Sequence, residues 1–242
     1  MVEPAPADPA AFAAARARVL GTIGEACSRA DREPGDVTLV AVSKTVPAER
    51  LVAAVAAGLT TLGENRVQEA EGKVDAVEGA TWHLIGPLQS NKAKRAIAIF
   101  AVIESVDSVE LAERLDRLAG EIRPGERLPI LLQVNVDRDT AKAGFDPRAL
   151  PAALPRLAAL EHLELRGLMT VGRLVERAED ARSTFVALRE LSARLRERDR
   201  GGPPALGQAL SMGMSDDYQV AIEEGATIVR VGRALFGERH HP

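Results

Sequence analysis

The chain is poor in cysteine and aromatic residues, and its charges nearly cancel. Its single cysteine, Cys27, excludes an internal disulfide and a cysteine-rich metal site. Aromatic residues make up only 3% of the chain, which excludes a platform of rings for stacking nucleic-acid bases. The formal net charge of -4 provides no general attraction to nucleic acid or to anionic membranes.

Long apolar runs are missing as well. No run reaches the length of a membrane-spanning helix. The first residues lack the basic segment and apolar core of a secretory signal. We therefore expect a cytoplasmic protein that binds neither nucleic acid nor membranes.

The sequence contains a regular alternation of apolar, strand-like runs and helical stretches. Strands are predicted at 37–43, 60–63, 81–85, 102–105, 130–136, 163–169, 205–211 and 227–231. Helices are predicted at 9–31, 48–57, 65–78, 90–99, 108–120, 147–159, 175–199 and 216–224. Because parallel strands need a crossover between them, this order predicts an α/β protein, a (β/α)8 TIM-type barrel with an extra N-terminal helix. The alternative is a doubly wound open sheet, but no glycine-rich dinucleotide fingerprint follows the first strand.

No linker, low-complexity tract or block of charge divides the chain. We expect one barrel domain over residues 1–242, with residues 1–8 as a flexible tail. We also expect a monomer, because no hydrophobic extension is left over outside the barrel elements.

Functional groups of such barrels come from the C-terminal ends of the strands. Among the lysines, Lys44 alone ends a run as apolar as VTLVAV at 37–42, where partial desolvation would favour a neutral amine that attacks carbonyl compounds. The alternative is a lysine that extends its ammonium group from the strand end into solvent.

Small residues cluster after predicted strands seven and eight, at Ser211, Gly213, Ser215 and Gly232. These two loops are the usual phosphate site of the fold, and small side chains let an anion approach the backbone. Ordinary turns and a helix cap are the alternative interpretation. A nucleophilic lysine beside a phosphate site indicates a phosphorylated carbonyl compound, either pyridoxal phosphate or the substrate of a sugar-phosphate aldolase.

Five segments resemble the pyridoxal phosphate homeostasis protein family. In order along the chain they are AVSKT at 41–45, GENRVQE at 63–69, WHLIGPLQSNK at 82–92, RGLM at 166–169 and LSMGMSDD at 210–217. The resemblance implies a barrel like the N-terminal domain of alanine racemase, with pyridoxal 5'-phosphate held as a Schiff base on Lys44. It implies a protein that buffers or delivers this cofactor in vitamin B6 and amino-acid homeostasis, without enzymatic turnover. PLP-dependent apo-enzymes would then be partners.

The resemblance also implies the cofactor contacts, which are Lys44, Asn65, Met169, Ser211, Arg230, Gly232 and Arg233. Ser211, Gly232 and Arg233 would contact the phosphate, while Asn65 and Met169 would line the ring pocket. Arg230 would face the pyridine nitrogen. A guanidinium group only donates hydrogen bonds, so the ring nitrogen would stay unprotonated and the ring would be a poor electron sink.

The competing hypothesis is a fold-type III PLP-dependent enzyme related to the racemases. Such an enzyme needs a proton donor opposite Lys44, and Tyr218, the one tyrosine, is interpreted as a helix residue after strand seven. His83 is interpreted as a barrel histidine with a hydrogen-bond partner rather than an acid or base or a metal ligand. No catalytic or metal-binding residue is assigned.

Two basic features have open interpretations. Lys142 is either a second lysine close to the cofactor or a solvated loop residue. Lys92, Lys94 and Arg95 either steer an anionic cofactor towards the site or form a solvated helix face.

Overall fold

The computed structural model describes residues 8–173, 175–197 and 205–237. Its strands are β1 (Thr38–Val42), β2 (Thr61–Glu64), β3 (Thr81–Leu84), β4 (Val102–Val106), β5 (Leu128–Gln133), β6 (Leu163–Met169), β7 (Ala209–Met214) and β8 (Ile228–Val231). Each strand pairs in parallel with the next, and β1 pairs with β8, so the sheet is a closed barrel. The predicted barrel is confirmed, and the open-sheet alternative is excluded.

The helices follow the predicted alternation. They are α1 (Pro9–Arg29), α2 (Ala48–Ala56), α3 (Val67–Glu71), α4 (Ala93–Ile99), α5 (Val109–Ile122), α6 (Leu150–Ala158), α7 (Arg182–Glu197), α8 (Tyr218–Glu223) and α9 (Arg233–Phe236). Asp8 caps α1 and Ser108 caps α5, each through a side-chain oxygen that accepts a backbone N–H. None of the described helices combines the length and the apolar character needed to cross a membrane.

The extra N-terminal helix compensates for a short last helix. Only one turn, α9, follows β8. The apolar face of α1 packs against α2, α8 and α9, and the Phe12 ring meets Phe236 edge to face at 5.8 Å. This contact covers the side of the barrel that α9 alone leaves open.

Buried side chains form two layers. The larger one lies between the strands and the surrounding helices. The smaller one fills the barrel interior and contains Val40, Ile85, Val102, Leu131, Met169 and Ile228. Side chains of a strand alternate between the two layers because successive residues point to opposite faces.

Several predicted boundaries differ from the structure, and the fifth strand, predicted at 130–136, lies at Leu128–Gln133. The seventh strand begins at Ala209, not at 205, because the buried Leu206 belongs to a loop whose Gly207 N–H bonds the Leu165 carbonyl. The helix predicted at 65–78 is helical only over Val67–Glu71 and continues as turns. The helix predicted at 175–199 begins at Arg182, after a 3-10 turn. Of the predicted tail, only Asp8 lies inside the described residues.

Candidate functional site

Lys44 lies just beyond the C-terminal end of β1. The ladder continues past the strand, because the Ser43 N–H donates to the Gly63 carbonyl at 2.9 Å. Val40 and Val42 belong to the layer inside the barrel. Since side chains alternate, Lys44 continues their inward face. The half-buried Lys44 therefore lies at the C-terminal opening of the barrel.

The backbone on both sides of Lys44 is held by side chains. The Ser43 carbonyl accepts a hydrogen bond from Lys73 Nζ at 3.0 Å. The Thr45 N–H donates to the carboxylate of Glu69. Thr45 has a φ of 65°, in the left-handed region that residues with a Cβ rarely adopt. The turn is thus held by α3 and the segment that follows it, and by its own backbone bond from the Val46 N–H to the Ser43 carbonyl at 3.0 Å.

Lys73 connects these contacts into one ion cluster. It is 8% exposed, and its Nζ also donates to Glu64 at 2.7 Å and to Glu69 at 3.0 Å. Burial raises the pKa of Glu64, and this effect outweighs the opposing effect of Lys73. Burial acts in the same direction on Glu69, but the Thr45 N–H and Lys73 overcome it and lower the pKa of that carboxyl.

A chain of polar side chains crosses the barrel interior from β8 to β3. Arg230 donates through Nη1 to Ser211 Oγ at 2.5 Å and through Nη2 to the Thr170 carbonyl at 2.7 Å. Ser211 donates to Glu104 Oε2 at 2.5 Å, and Glu104 Oε1 lies 2.6 Å from His83 Nδ1. All four side chains are buried, so this network fills the polar centre below the opening of the barrel.

Glu104 and Arg230 balance each other electrostatically. Burial alone would raise the pKa of Glu104, but the hydrogen bond and charge of His83, the Arg230 charge and the Ser211 hydroxyl lower it. Burial lowers the pKa of Arg230, against the effects of Glu104 and Asp217. The carboxylate and the guanidinium are therefore opposite charges in the barrel interior that the Ser211 hydroxyl bridges.

The loops after β7 and β8 meet next to this network. The Gly232 N–H donates to Ser215 Oγ at 3.1 Å, and the Met214 N–H donates to Asp217 Oδ1 at 2.6 Å. The exposed Arg233 pairs with Asp216. Ser215 and Gly232 thus place a hydroxyl group and a backbone amide together at the C-terminal end of the barrel.

Ser211 differs in position from the prediction. The predicted seventh strand ends at residue 211, but β7 continues to Met214. Ser211 is therefore inside the strand, fully buried, with its hydroxyl bonded to Glu104 and Arg230. Ser215 is the serine beside Gly232 in the loop.

A cavity of about 290 Å³ opens on the other side of the barrel end. Asn65, Ile85, Gln133 and Lys142 are among its lining residues. A Cβ at Gly86, also in the lining, would lie 2.4 Å from the Asn65 carbonyl oxygen, so glycine is required for this approach. Asn65 therefore borders this cavity, and its contact with the cofactor ring stays a prediction.

The structure also gives the surroundings of Met169, His83 and Lys142. Met169 ends β6 and is fully buried in the inner layer. His83 has a buried hydrogen-bond partner, as expected of a structural barrel histidine. Lys142 Nζ lies in the cavity lining and donates to the Gly172 carbonyl at 2.9 Å. No group of three or more His, Cys, Asp or Glu side chains in the described residues could hold a metal ion.

The basic segment on α4 has a surface environment. Lys94 is exposed, and Arg95 Nε pairs with Glu71 at 3.3 Å. These contacts are typical of a solvated helix face, and steering of an anionic cofactor by this segment stays a prediction.

Sequence reasoning missed Glu104, Glu69 and Lys73. A pattern that could have revealed Glu104 is a lone carboxylate in the middle of the short strand Val102–Val106, whose residues are all buried. Glu69 and Lys73 lie four residues apart, a spacing at which ion pairs form on helices and turns. Their approach to the Lys44 turn depends on the fold.

Comparisons with known proteins give consistent results. A family model described as "Alanine racemase, N-terminal domain" matches residues 24–240. A pyridoxal phosphate homeostasis protein of Pseudomonas aeruginosa is 43% identical over 230 residues, covering 93% of this chain and 94% of the relative. One of Aquifex aeolicus is 40% identical over 226 residues, covering 93% and 96%. The structure of PipY of Synechococcus elongatus with PLP bound has a TM-score of 0.77 at 44% identity, covering 89% of this chain and all of that chain.

Proposed function

Because this chain belongs to the alanine racemase N-terminal domain family, and within it to the pyridoxal phosphate homeostasis proteins, we propose that it binds pyridoxal 5'-phosphate covalently at Lys44 and buffers or delivers it. The observation that carries the proposal is the position of Lys44. Its side chain follows the inward face of β1, and its turn is fixed on both sides. An amine held there can attack an aldehyde at the barrel end.

The donor set fits this cofactor. A phosphate group needs N–H and O–H donors and positive charge, which Gly232, Ser215 and Arg233 provide. Met169 contributes an apolar surface for the ring, and Asn65 borders the space beside it. We propose Ser215 rather than the buried Ser211 as the phosphate contact, because the Ser211 hydroxyl is bonded inside the barrel.

The attachment step needs nothing beyond the amine and the ligand. When bound, pyridoxal phosphate supplies an aldehyde that forms a Schiff base with a lysine amine. The Lys44 nitrogen adds to the aldehyde carbon, a C=N bond replaces the C=O bond, and one water molecule leaves. No oxidant or reductant takes part, and addition of water or of another amine reverses the step.

Two features support a carrier over a racemase-like enzyme. Arg230, which we propose to face the ring nitrogen, can only donate hydrogen bonds and therefore disfavours a protonated ring. Tyr218, the one tyrosine of the chain, is buried in the core layer outside the barrel. It therefore offers no proton donor at the C-terminal opening.

Exchange of α-protons tests the choice between carrier and enzyme. The cofactor-loaded chain is incubated with single amino acids in deuterated water, and loss of the α-proton is followed by NMR. We expect no exchange above that of free pyridoxal phosphate, while an added apo-enzyme gains activity as it takes up the cofactor. Rapid exchange with one amino acid would contradict the proposal and favour the racemase-like enzyme.

The phosphate contact leads to a second prediction. Ser215→Ala removes one hydroxyl donor to a charged group, which is worth about 1.5 kcal/mol, or roughly tenfold in affinity. Binding of pyridoxal 5'-phosphate should weaken by this amount, while binding of pyridoxal, which has no phosphate, should not change. Ser211→Ala is the matched comparison, and a larger phosphate-dependent effect there would return the contact to Ser211.

We further propose a single-domain, cytoplasmic monomer over residues 1–242 that delivers the cofactor to PLP-dependent apo-enzymes. The free cysteine, Cys27, is buried, which is compatible with a reducing compartment. In the described residues, the exposed large hydrophobic side chains are Leu20, Val52 and Val171, on separate elements. Each of these elements thus exposes one such side chain, which supports the proposed monomer.

A further inference from the structure

The peptide groups on both sides of Lys44 are tied to side chains from another part of the chain. The carbonyl of the preceding peptide, from Ser43, accepts from Lys73 Nζ, and the N–H of the following peptide, from Thr45, donates to Glu69. Two fixed peptide planes determine where the Cα of Lys44 lies and where its side chain starts. The strand ladder ends one peptide earlier, at the Ser43 N–H, so these two planes depend on contacts outside the ladder.

The hydrogen bond from the Thr45 N–H to Glu69 holds an unfavourable backbone conformation. Thr45 is β-branched and has a φ of 65°, a region costly for such a residue. A conformation of this kind persists where the surroundings enforce it. Here the Val46 N–H closes the turn on the Ser43 carbonyl at 3.0 Å, and the Glu69 carboxylate accepts the Thr45 N–H within that turn. Without this carboxylate, the peptide between Lys44 and Thr45 is held by the turn bond alone, and the starting position of the Lys44 side chain is less well defined.

Lys73 connects the two hydrogen-bonded peptide groups, because it contacts both the Ser43 carbonyl and Glu69. Its buried ammonium group contacts Glu69, Glu64 and the Ser43 carbonyl at 2.7–3.0 Å. These acceptors use the three N–H donors of the ammonium group, so Lys73 is committed to the cluster and does not compete with Lys44 as an amine nucleophile. Movement of Glu69 is thereby coupled to the Ser43 carbonyl.

We propose that Glu69 and Lys73 are positioning residues that hold the Lys44 amine in the geometry required for attack on the cofactor aldehyde. The inference rests on the proposed function, since it concerns capture of the cofactor at Lys44. It assigns a role in covalent capture to two residues that do not belong to the proposed phosphate or ring contacts.

The test compares two ligands that differ only at the reacting carbon. Pyridoxal 5'-phosphate has an aldehyde there, and pyridoxine 5'-phosphate has an alcohol and binds only non-covalently. For Glu69→Ala we expect the rate of covalent capture to fall about tenfold or more, because small displacements of a reacting group are costly. The dissociation constant of pyridoxine 5'-phosphate should stay unchanged, since Ser215, Gly232 and Arg230 are untouched.

The chain offers a matched control on the same helix. Glu71 has a side chain that is 30% exposed, against 25% for Glu69, and it pairs with Arg95 at the surface. Glu71→Ala should capture the cofactor at the wild-type rate. Glu69→Gln retains an oxygen that can accept the Thr45 N–H, so we expect it to restore most of the capture rate.

Three results would overturn the positioning role. One is equal capture by Glu69→Ala and Glu71→Ala. Another is a loss of pyridoxine 5'-phosphate affinity in Glu69→Ala as large as the loss of its capture rate, which would indicate general damage to the site. The last is a Glu69→Gln variant as slow as Glu69→Ala. Failure of the proposed function is distinguishable, because the wild-type chain would then give no borohydride-trapped adduct at Lys44.

Discussion

Lys44→Ala should lose all covalent retention of pyridoxal 5'-phosphate. The alanine variant has no amine at the end of β1, and the nearby Lys73 is occupied by three acceptors. Wild-type protein should show a visible absorption band that survives gel filtration, and the variant should release the cofactor completely. Weak, reversible binding should remain, because the proposed phosphate and ring contacts of Ser215, Gly232 and Arg230 are unchanged.

Lys94→Ala is the control for this prediction. Lys94 is exposed on α4, and its removal changes the charge of the chain by the same amount. We expect it to retain the cofactor like the wild type. Retention of the band by Lys44→Ala, together with its loss in Lys142→Ala, would move the attachment site to the lysine of the neighbouring cavity.

Arg230→Met should be the most destabilising of the substitutions considered. It removes the guanidinium group from a pair of buried charges and leaves Glu104 fully buried with His83 and Ser211 only. Breaking a buried charge pair costs about 3–5 kcal/mol of unfolding free energy. Urea unfolding of the cofactor-free protein measures this loss.

The loss of unfolding free energy in Arg230→Met should depend on pH. The pKa of Glu104 in the folded protein lies below its ordinary value of 4.5, so its ionisation stabilises the fold above that pH. This stabilisation is lost as the pH falls through the lower, folded-state pKa. Since a protonated Glu104 no longer requires a cation, the difference between wild type and Arg230→Met should be largest at neutral pH and shrink below 4.5.

Two further variants check this explanation. Arg233→Met removes an exposed guanidinium group three residues away, and we expect a change within about 0.5 kcal/mol. Combining Arg230→Met with Glu104→Leu removes both charges and should recover part of the lost stability. An Arg230→Met variant as stable as Arg233→Met would show that the buried pair does not stabilise the fold.

The barrel was predictable because its determinants are local. Short apolar runs separated by helical stretches specify parallel strands, and Lys44 stands out as a charged residue directly after such a run. The misplaced start of β7 follows from the buried Leu206, whose hydrophobicity belongs to a loop. Burial of a loop residue cannot be distinguished from burial of a strand residue by composition alone.

The polar networks were not predictable because their partners come from distant parts of the chain. Glu104 and Ser211 are 107 residues apart and meet only when the barrel closes. The Thr45 N–H and Glu69 are 24 residues apart and meet through the packing of α3 on the end of β1. Local pattern indicates the individual residues, and the closed topology determines which of them become partners.

The most direct test of covalent cofactor binding at Lys44 is to trap the adduct and map it. Wild-type protein saturated with pyridoxal 5'-phosphate is reduced with borohydride and digested, and its peptides are sequenced by mass spectrometry. The account predicts a phosphopyridoxyl group on Lys44 and on none of Lys73, Lys92, Lys94 and Lys142. Modification of another lysine alone, or no modification of a protein that is fully folded, would contradict it.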